Sequence, residues 1–166
     1  MSFIIKRACQ EDASALLEYL RQIGKETDNL SFGEEGLHLT VEDEAAYLSA
    51  IEHSRDDLML VAKKNGEIIG SASLNRLPRR MSHRGALSVS VKKEYWNNGI
   101  GRTLCERVIA FARENGFAIV DLEVRSDNAA AIHLYNKMGF EKIGTHPFFF
   151  NIAGENISFD YMYLRL

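Results

Sequence analysis

The stretch from Leu87 to Glu106 constrains the fold of this chain more than any other part of it. It reads LSVSVKKEYWNNGIGRTLCE: apolar residues first alternate with serines, a polar turn with two glycines follows, and a helical apolar pattern starts at Leu104. Alternation is typical of a strand with one buried face, and apolar residues at i, i+4 and i+7 are typical of an amphipathic helix. The stretch therefore predicts a strand, a glycine turn and the N-terminus of a helix in direct succession.

Such a turn offers a binding site for an anion. The first backbone N–H groups of a helix have no partners within the helix, and the helix dipole adds partial positive charge there. Gly99 and Gly101 carry no Cβ, so a phosphate can approach the backbone closely. The P-loop and the dinucleotide fingerprint do not match, because Arg102-Thr103 and Leu104 stand where those motifs need Lys-Ser/Thr and a third glycine. The turn is therefore either an anion cradle of another kind or a plain strand-to-helix connection.

The other periodic segments predict an α+β fold. In chain order they indicate a strand at 3–7, helices at 11–23 and from 40 onward, strands at 58–64 and 67–74, the central strand and helix, a strand at 118–124, a short helix after 128, and strands at 140–150 and 157–165. Gly24 is expected to end the first helix, and Thr40-x-x-Asp43 resembles a capping box for the second. Asn65-Gly66 is expected to join two strands in a hairpin.

The central stretch also predicts how the sheet is built. A strand–helix–strand unit implies two parallel strands with a right-handed crossover. A chain of 166 residues is long enough for one domain with a sizeable core. We therefore expect a single domain over residues 1–166, with a mixed, mostly antiparallel sheet of six to seven strands and helices on both faces.

Composition excludes several classes of function. A net charge of −3 disfavours non-specific binding to nucleic acid. The N-terminus lacks the apolar core of a signal peptide, and no apolar run is long enough for a membrane span. The two cysteines, Cys9 and Cys105, are not spaced as metal ligands. We therefore expect a cytoplasmic protein with no membrane, nucleic-acid or metal partner.

The charges are unevenly distributed along the chain. Residues 26–57 contain ten acidic residues and one basic residue, so the remainder of the chain has an excess of positive charge. This segment is either a solvated helix face or an acidic lid that attracts a cationic substrate, with the basic remainder facing phosphates.

A second informative stretch, LEVRSDNAAAIHLYNKMGF, follows later in the chain. Its Asn128, Ala131, Tyr135 and Gly139-Phe140 are similar to a motif of the GCN5-related N-acetyltransferase (GNAT) superfamily, which transfers an acetyl group from acetyl-CoA to an amine. The order of elements resembles that superfamily over nearly the whole chain. By this resemblance the chain is identified as a member.

The glycine turn carries the other half of the resemblance. It matches the superfamily's pyrophosphate loop, Arg/Gln-x-x-Gly-x-Gly/Ala, at Gly99 and Gly101. Trp96 occupies the position of the leading Arg or Gln, so one side-chain contribution differs from the family pattern. The backbone cradle does not depend on that side chain.

The resemblance implies that acetyl-CoA is the cosubstrate. Its pantetheine arm would pair with the central strand where the two parallel strands splay apart, and its pyrophosphate would bind the glycine turn. The cofactor-binding residues implied in this way are Val89, Ser90, Val91, Asn97, Asn98, Gly99, Ile100, Gly101, Arg102 and Asn128. Asn128 would hydrogen-bond the cofactor, unless it only caps its helix.

The same resemblance implies a catalytic role for Tyr135. A phenol is neutral and a hydrogen-bond donor at pH 7, so it could return a proton to the leaving thiolate. The alternative is a core aromatic residue, because Ala131 and Met138 share its helix face. We expect a neutral amine to attack the thioester directly, with the oxyanion stabilised by a backbone N–H near Val91.

The general base is not identified by the sequence. Some members place a Glu on the central strand, where this chain has only Ser88 and Ser90. The other titratable residues considered are Glu123, Asp28, Glu34, Glu35, His83 and His133. None of them is assigned, because a surface position explains Asp28, Glu34, Glu35 and the two histidines better than the role of a base does.

Three functions stay open at this point. The acidic segment 26–57 favours N-acetylation of a small cationic amine. Protein N-termini or lysines are the second class of acceptor, for which Lys25–Leu39 and Phe148-Phe149-Phe150 could line a groove. Trp96 and the absent strand Glu favour a third function, a non-catalytic acetyl-CoA-binding module. By analogy with the family, we also expect that the chain can form a homodimer.

Overall fold

One mixed sheet organises the fold in the computed structural model, which describes residues 2–166. Its strands are β1 (Ile4–Arg7), β2 (Asp57–Lys64), β3 (Glu67–Arg76), β4 (Arg84–Val91), β5 (Ile119–Arg125), β6 (Glu141–Ile152) and β7 (Glu155–Arg165). They lie in the spatial order β1-β2-β3-β4-β5-β7-β6. Within the described residues only β4 and β5 pair in parallel, and all other neighbours are antiparallel. The expected mixed, mostly antiparallel sheet with a central parallel pair is confirmed.

Four α-helices cover the two faces of this sheet in residues 2–166. They are α1 (Ala13–Glu26), α2 (Val41–Ile51), α3 (Ile100–Glu114) and α4 (Ala129–Lys137). α1 and α2 pack on one face in a core that includes Leu16, Leu48 and Val61. α3 packs on the opposite face, where Leu104 and Val108 are fully buried. The expected helices on both faces are therefore confirmed, and none of the four is long and apolar enough to cross a membrane.

Two local sequence signals form the structures that they predict. Asn65 and Gly66 have φ angles of 50° and 86°, as the two-residue turn between β2 and β3 requires. The Thr40 hydroxyl accepts a hydrogen bond from the Asp43 N–H at 3.0 Å, and the Thr40 N–H donates to the Asp43 carboxylate at 3.3 Å. These reciprocal bonds are the expected capping box at the start of α2.

The parallel pair of β4 and β5 is short. Arg84, Gly85 and Ala86 pair with residues 119–121, and the described structure shows no pairing between the two strands beyond this point. On its other side, β4 stays paired with β3 as far as Val91. Residues 87–91 therefore have one backbone edge without a strand partner, which faces the gap where β4 and β5 splay apart.

Gly24 lies inside α1, so the expectation that it ends this helix is wrong. α1 continues to Glu26. A Cβ built on Gly24 would lie 1.9 Å from the carbonyl oxygen of Gly33 in the α1–α2 loop. The glycine is needed because the loop backbone passes directly against the helix, and no side chain fits between them.

We expect Gly24→Ala to destabilise the protein by about 1–3 kcal/mol, the usual range for overpacking a tight contact. Alanine is about 1 kcal/mol better than glycine inside a helix, but the clash with Gly33 outweighs this gain. Urea unfolding measures the difference. Gly144→Ala is the control, because a Cβ at Gly144 meets no atom within 4 Å. A Gly24→Ala protein more stable than the wild type would contradict the close contact.

Candidate active site

A cavity of about 470 Å³ opens where β4 and β5 part. The predicted cofactor-binding and catalytic residues that line it are Val89, Ser90, Val91, Asn97, Gly99, Ile100, Gly101, Arg102, Asn128 and Tyr135. We call it the cofactor cavity. Asn98 is the exception, because its side-chain amide donates to the Trp96 carbonyl at 2.9 Å and shapes the turn instead. The fold thus brings together residues that lie on β4, the glycine turn and α4.

The glycine turn presents free backbone donors to this cavity. Asn97 and Gly99 have φ angles of 61° and 78°, so the chain reverses sharply before α3 begins at Ile100. The Thr103 N–H and hydroxyl both donate to the Gly99 carbonyl at 3.0 Å, which fixes the first helical turn. The N–H groups at the N-terminus of α3 have no partners within the helix and suit an anion.

Trp96 ties this turn to the end of β4. Its indole N–H donates to the Val91 carbonyl at 2.7 Å. On the other side, the carboxylate of Glu26 at the end of α1 accepts from the Lys93 N–H at 2.7 Å. A side chain that departs from the family motif therefore holds the turn in place, a role that the sequence does not reveal.

Asn128 caps α4, which is one of the two roles predicted for it, the other being a hydrogen bond to the cofactor. Its side-chain oxygen accepts from the Ala131 N–H at 3.3 Å. The cap uses only the oxygen, so the amide nitrogen can still donate to a ligand in the cofactor cavity. Its contact with the cofactor stays a prediction.

Tyr135 is both a buried aromatic residue and part of the cavity lining. Only 7% of its surface is exposed, and its ring packs 5.7 Å from that of Phe140. Burial is the main cause that raises the pKa of the Tyr135 hydroxyl, and the nearby Cys105 is a smaller one. The hydroxyl therefore stays protonated at neutral pH. Burial also raises the pKa of Cys105 to about 12, which makes this thiol an inert core group.

A second cavity of about 440 Å³ adjoins the first and shares Leu30 and Ser90 with it. We call it the acceptor cavity, after the role that is proposed for it below. Its floor is polar and consists of Ser71, Ser73, Asn75, Ser88 and Ser90. Its apolar wall consists of Leu20, Leu30, Phe32, Leu37, Leu39 and Met59. Two cavities with different linings thus meet at one seam.

Hydroxyl groups hold the seam between the two cavities. The Tyr19 hydroxyl lies 2.9 Å from the Ser90 oxygen, and the Ser71 oxygen lies 3.3 Å from it on the other side. Burial raises the pKa of Tyr19, so this network stays neutral. Tyr19 and Ser71 thus fix the position of the Ser90 hydroxyl, and none of these three hydroxyl groups is a general base for the attacking amine.

The structure separates the carboxylates that the sequence left as possible bases. Glu123 lines the cofactor cavity but is exposed to solvent. Glu34 forms a surface ion pair with Lys25 at 3.8 Å, and the Glu35 carboxylate accepts from the Gly33 N–H at 2.8 Å. The residues that line neither cavity are Asp28, Glu34, Glu35, His83 and His133.

Glu44 is the acidic residue that the sequence reasoning missed. It lines the acceptor cavity, yet only 3% of its surface is exposed, and burial alone raises its pKa. A sequence signal existed, because Glu44, Leu48 and Ile51 share one helix face at i, i+4 and i+7 and are all buried. A carboxylate on the apolar face of a helix has a structural or a functional cause.

Comparison with known proteins finds the acetyltransferase (GNAT) family over residues 25–140. The N-alpha-acetyltransferase RimI of Mycobacterium tuberculosis is 34% identical over 94 residues, which are 56% of this chain and 58% of that protein. The chain thus spans little more than half the length of this relative.

Solved structures match over a larger part of the chain. A GNAT-family acetyltransferase from Streptococcus pneumoniae is 32% identical, with a TM-score of 0.95 over 99% of this chain and 100% of that one. The putative acetyltransferase yncA from Salmonella typhimurium, solved with its cofactor acetyl-CoA, shares the fold. Its TM-score is 0.85 at 23% identity, over 99% of this chain and 94% of that one.

Gly101→Val should weaken acetyl-CoA binding without unfolding the protein. A Cβ at Gly101 meets protein atoms only at 3.7 Å and beyond, so protein packing does not require the glycine. A branched side chain would instead block the approach of the pyrophosphate to the N–H groups of α3. We expect the dissociation constant to rise about tenfold or more, since a hydrogen bond to a charged group contributes about 1.5–3 kcal/mol.

Isothermal titration calorimetry with acetyl-CoA measures this effect. Gly101→Ala is the matched control, because alanine occurs at this position of the family motif and should retain binding. Unchanged affinity in Gly101→Val would contradict the assignment of the turn as the pyrophosphate site.

Proposed function

Because the chain belongs to the GNAT family of acetyltransferases, we propose that it transfers the acetyl group of acetyl-CoA to the primary amine of a compact cationic molecule. The observation that carries this proposal is the seam at Leu30 and Ser90, where the cofactor cavity and the acceptor cavity meet. A donor in one cavity and an amine in the other would have their reacting ends at this seam.

The residues of the cofactor cavity fit acetyl-CoA. The backbone edge of β4 at Val89–Val91 has no strand partner and can pair with the amides of the pantetheine arm, although the Val91 carbonyl already accepts from the Trp96 indole N–H. The N-terminus of α3 can hold the pyrophosphate. Acetyl-CoA supplies the acetyl thioester. Asn128 lies at the start of α4 with its amide nitrogen available to donate.

The chain's own groups can then assist the transfer. A backbone N–H near Val91 would stabilise the negative charge that develops on the carbonyl oxygen when the amine attacks. The Tyr135 hydroxyl, kept protonated by its burial, would give its proton to the sulfur that leaves, and the proton that the attacking nitrogen loses on becoming an amide would restore the phenol. Because only 7% of the Tyr135 surface is exposed, its surroundings would limit the access of water to this proton transfer.

The acceptor cavity supports a compact cation as the acceptor. Its volume of about 440 Å³ falls within the usual range of small-molecule sites, about 300–1,000 Å³. The apolar wall can cover a hydrocarbon chain, and the acidic segment 26–57 attracts a positively charged group. Asp43 and Glu44 of this segment line the cavity directly.

The α-amino group of a protein N-terminus is the second candidate acceptor. It is favoured by the similarity to RimI, which is named as an N-alpha-acetyltransferase. Leu37 and Leu39 line the cavity and are 38% and 41% exposed, so they could also contact the residues that follow a peptide N-terminus. The RimI match covers 56% of this chain, so it supports the family more strongly than the acceptor.

Release of free CoA from acetyl-CoA over an acceptor panel tests the proposal. The panel pairs alkyl amines, diamines and aminoglycosides with short peptides that have free or blocked N-termini. Turnover of compact amines above that of peptides supports the proposal, and strict dependence on a free peptide N-terminus supports the second candidate. Acetyl-CoA binding without CoA release across the panel would favour the non-catalytic module instead.

Tyr135→Phe should lower kcat by about 100-fold, the lower end of the usual contribution of a general acid. Acetyl-CoA affinity should stay nearly unchanged, because phenylalanine keeps the packing against Phe140. Steady-state kinetics and calorimetry on the same preparation measure the two quantities. Tyr163→Phe is the control, since its hydroxyl donates to Glu141 outside both cavities. An unchanged kcat in Tyr135→Phe would remove the acid role.

A further inference from the structure

Glu44 has no partner among the residues that the structure describes. Its pKa is raised by burial alone, with no contribution from a hydrogen bond or a neighbouring charge. Every fully buried side-chain oxygen in residues 2–166 has a hydrogen-bond partner. The Glu44 carboxylate, which has none, must therefore be open to the acceptor cavity that it lines.

The adjacent residue shows that this situation is specific to Glu44. Asp43 also lines the acceptor cavity, but its carboxylate accepts hydrogen bonds from the Thr40 hydroxyl at 2.7 Å and the Thr40 N–H at 3.3 Å. These bonds lower the pKa of Asp43 and account for its place in the capping box. No structural task of this kind accounts for Glu44.

The acceptor cavity contains no positive charge of its own. None of the described residues that line it is Lys, Arg or His. A buried carboxylate is costly unless a cation pairs with it. A cation that could pair with Glu44 inside this cavity would therefore have to come from the ligand.

Glu44 also lies outside the seam. The two cavities share only Leu30 and Ser90, so the amine that receives the acetyl group would lie near Ser90. The polar floor extends along β3 from Ser71, which pairs with Ser90, to Asn75. Four residues of strand span about 13 Å, which leaves room for a second group of the acceptor beyond the reacting amine.

We propose that Glu44 binds a second cationic group of the acceptor and so selects diamines and polyamines over monoamines. The methylene chain between the two nitrogens would lie against the apolar wall, and the far ammonium would pair with the Glu44 carboxylate. This inference rests on the proposed function and adds to it the class of acceptor and the residue that determines it.

Matched acceptors test this role directly. We compare 1,5-diaminopentane with pentylamine, which has the same carbon chain and one ammonium group less. The wild-type enzyme should prefer the diamine in kcat/KM by more than the factor of two that its two equivalent ends provide. Glu44→Gln should raise KM for the diamine by about tenfold or more with little change in kcat, as expected for loss of uniform binding, and should raise KM for pentylamine by a much smaller factor.

Glu42→Gln is the matched control. Glu42 is exposed on the same helix turn and lines neither cavity, and its replacement makes the same change of charge. The diamine preference should survive this substitution. A diamine preference that persists unchanged in Glu44→Gln would overturn the proposal, as would an equal loss of preference in Glu42→Gln.

Thermal unfolding distinguishes this role from a merely structural one. If Glu44 serves to bind the ligand and does not stabilise the fold, Glu44→Gln should unfold at the same temperature as the wild type or at a higher one at neutral pH. The substitution removes an unpaired buried charge. A diamine should raise the unfolding temperature of the wild type more than pentylamine does, and this difference should vanish in Glu44→Gln. A large drop in the unfolding temperature of Glu44→Gln would indicate a structural role and overturn the proposal.

If Glu44→Gln fails to fold, a measurement on the wild type alone still tests the proposal. N-acetyl-1,5-diaminopentane keeps its second ammonium, whereas N-pentylacetamide has none. Stronger competition against the amine by the acetylated diamine supports the proposal, and equal inhibition overturns it. If none of the primary amines tested leads to CoA release by the wild type, the proposed function fails. If it acetylates amines without regard to a second charge, only the role of Glu44 fails.

Discussion

The parting of β4 and β5 is the constraint on which the rest of this structure depends. The two strands share hydrogen bonds over only three residues on each side, and beyond Ala86 the edge of β4 has no strand partner in the described structure. Backbone N–H and C=O groups require partners when they are buried, so such a gap is stable only where water or a ligand can reach it. The gap, the adjacent helix N-terminus of α3 and the start of α4 together form the cofactor cavity. Trp96, through its bond to the Val91 carbonyl, keeps the turn aligned with the open edge.

The acceptor cavity, on the other side of β4 from the cofactor cavity, has a different lining. There the sheet face presents hydroxyl and amide groups, and the α1–α2 loop adds an apolar wall above them. The loop can pass this close to α1 only because Gly24 has no side chain. Tyr19 and Ser71 hold Ser90 at the seam from both sides. The acceptor cavity therefore combines a polar floor and an apolar wall with a carboxylate, Glu44, that has no partner among the described residues.

Much of the fold could be predicted from the sequence, because it is set by local rules, whereas the residues of the cofactor cavity were predicted from two family motifs. Alternation of apolar residues gave the central strand, and Asn65-Gly66 and Thr40-x-x-Asp43 gave a hairpin and a helix cap, since each depends on residues only a few positions apart. The resemblance to the GNAT superfamily supplied the cofactor-binding residues, and all of them except Asn98 line one cavity, because β4, the glycine turn and the start of α4 meet there. Their binding of acetyl-CoA stays a prediction.

The sequence by itself determined the strand–turn–helix order, the sheet class and the membership of an acetyltransferase family, since these follow from periodicity and from two short motifs. Only the tertiary structure decided why Gly24 is a glycine, what Trp96 binds and where Glu44 points. Each of these depends on a contact between segments far apart or on the shape of a cavity, and neither leaves a periodic signal in the sequence. Glu44 shows the difference most clearly. In the sequence it is one of ten acidic residues in the segment 26–57. In the structure it is almost wholly buried, has no partner within residues 2–166 and lines the acceptor cavity.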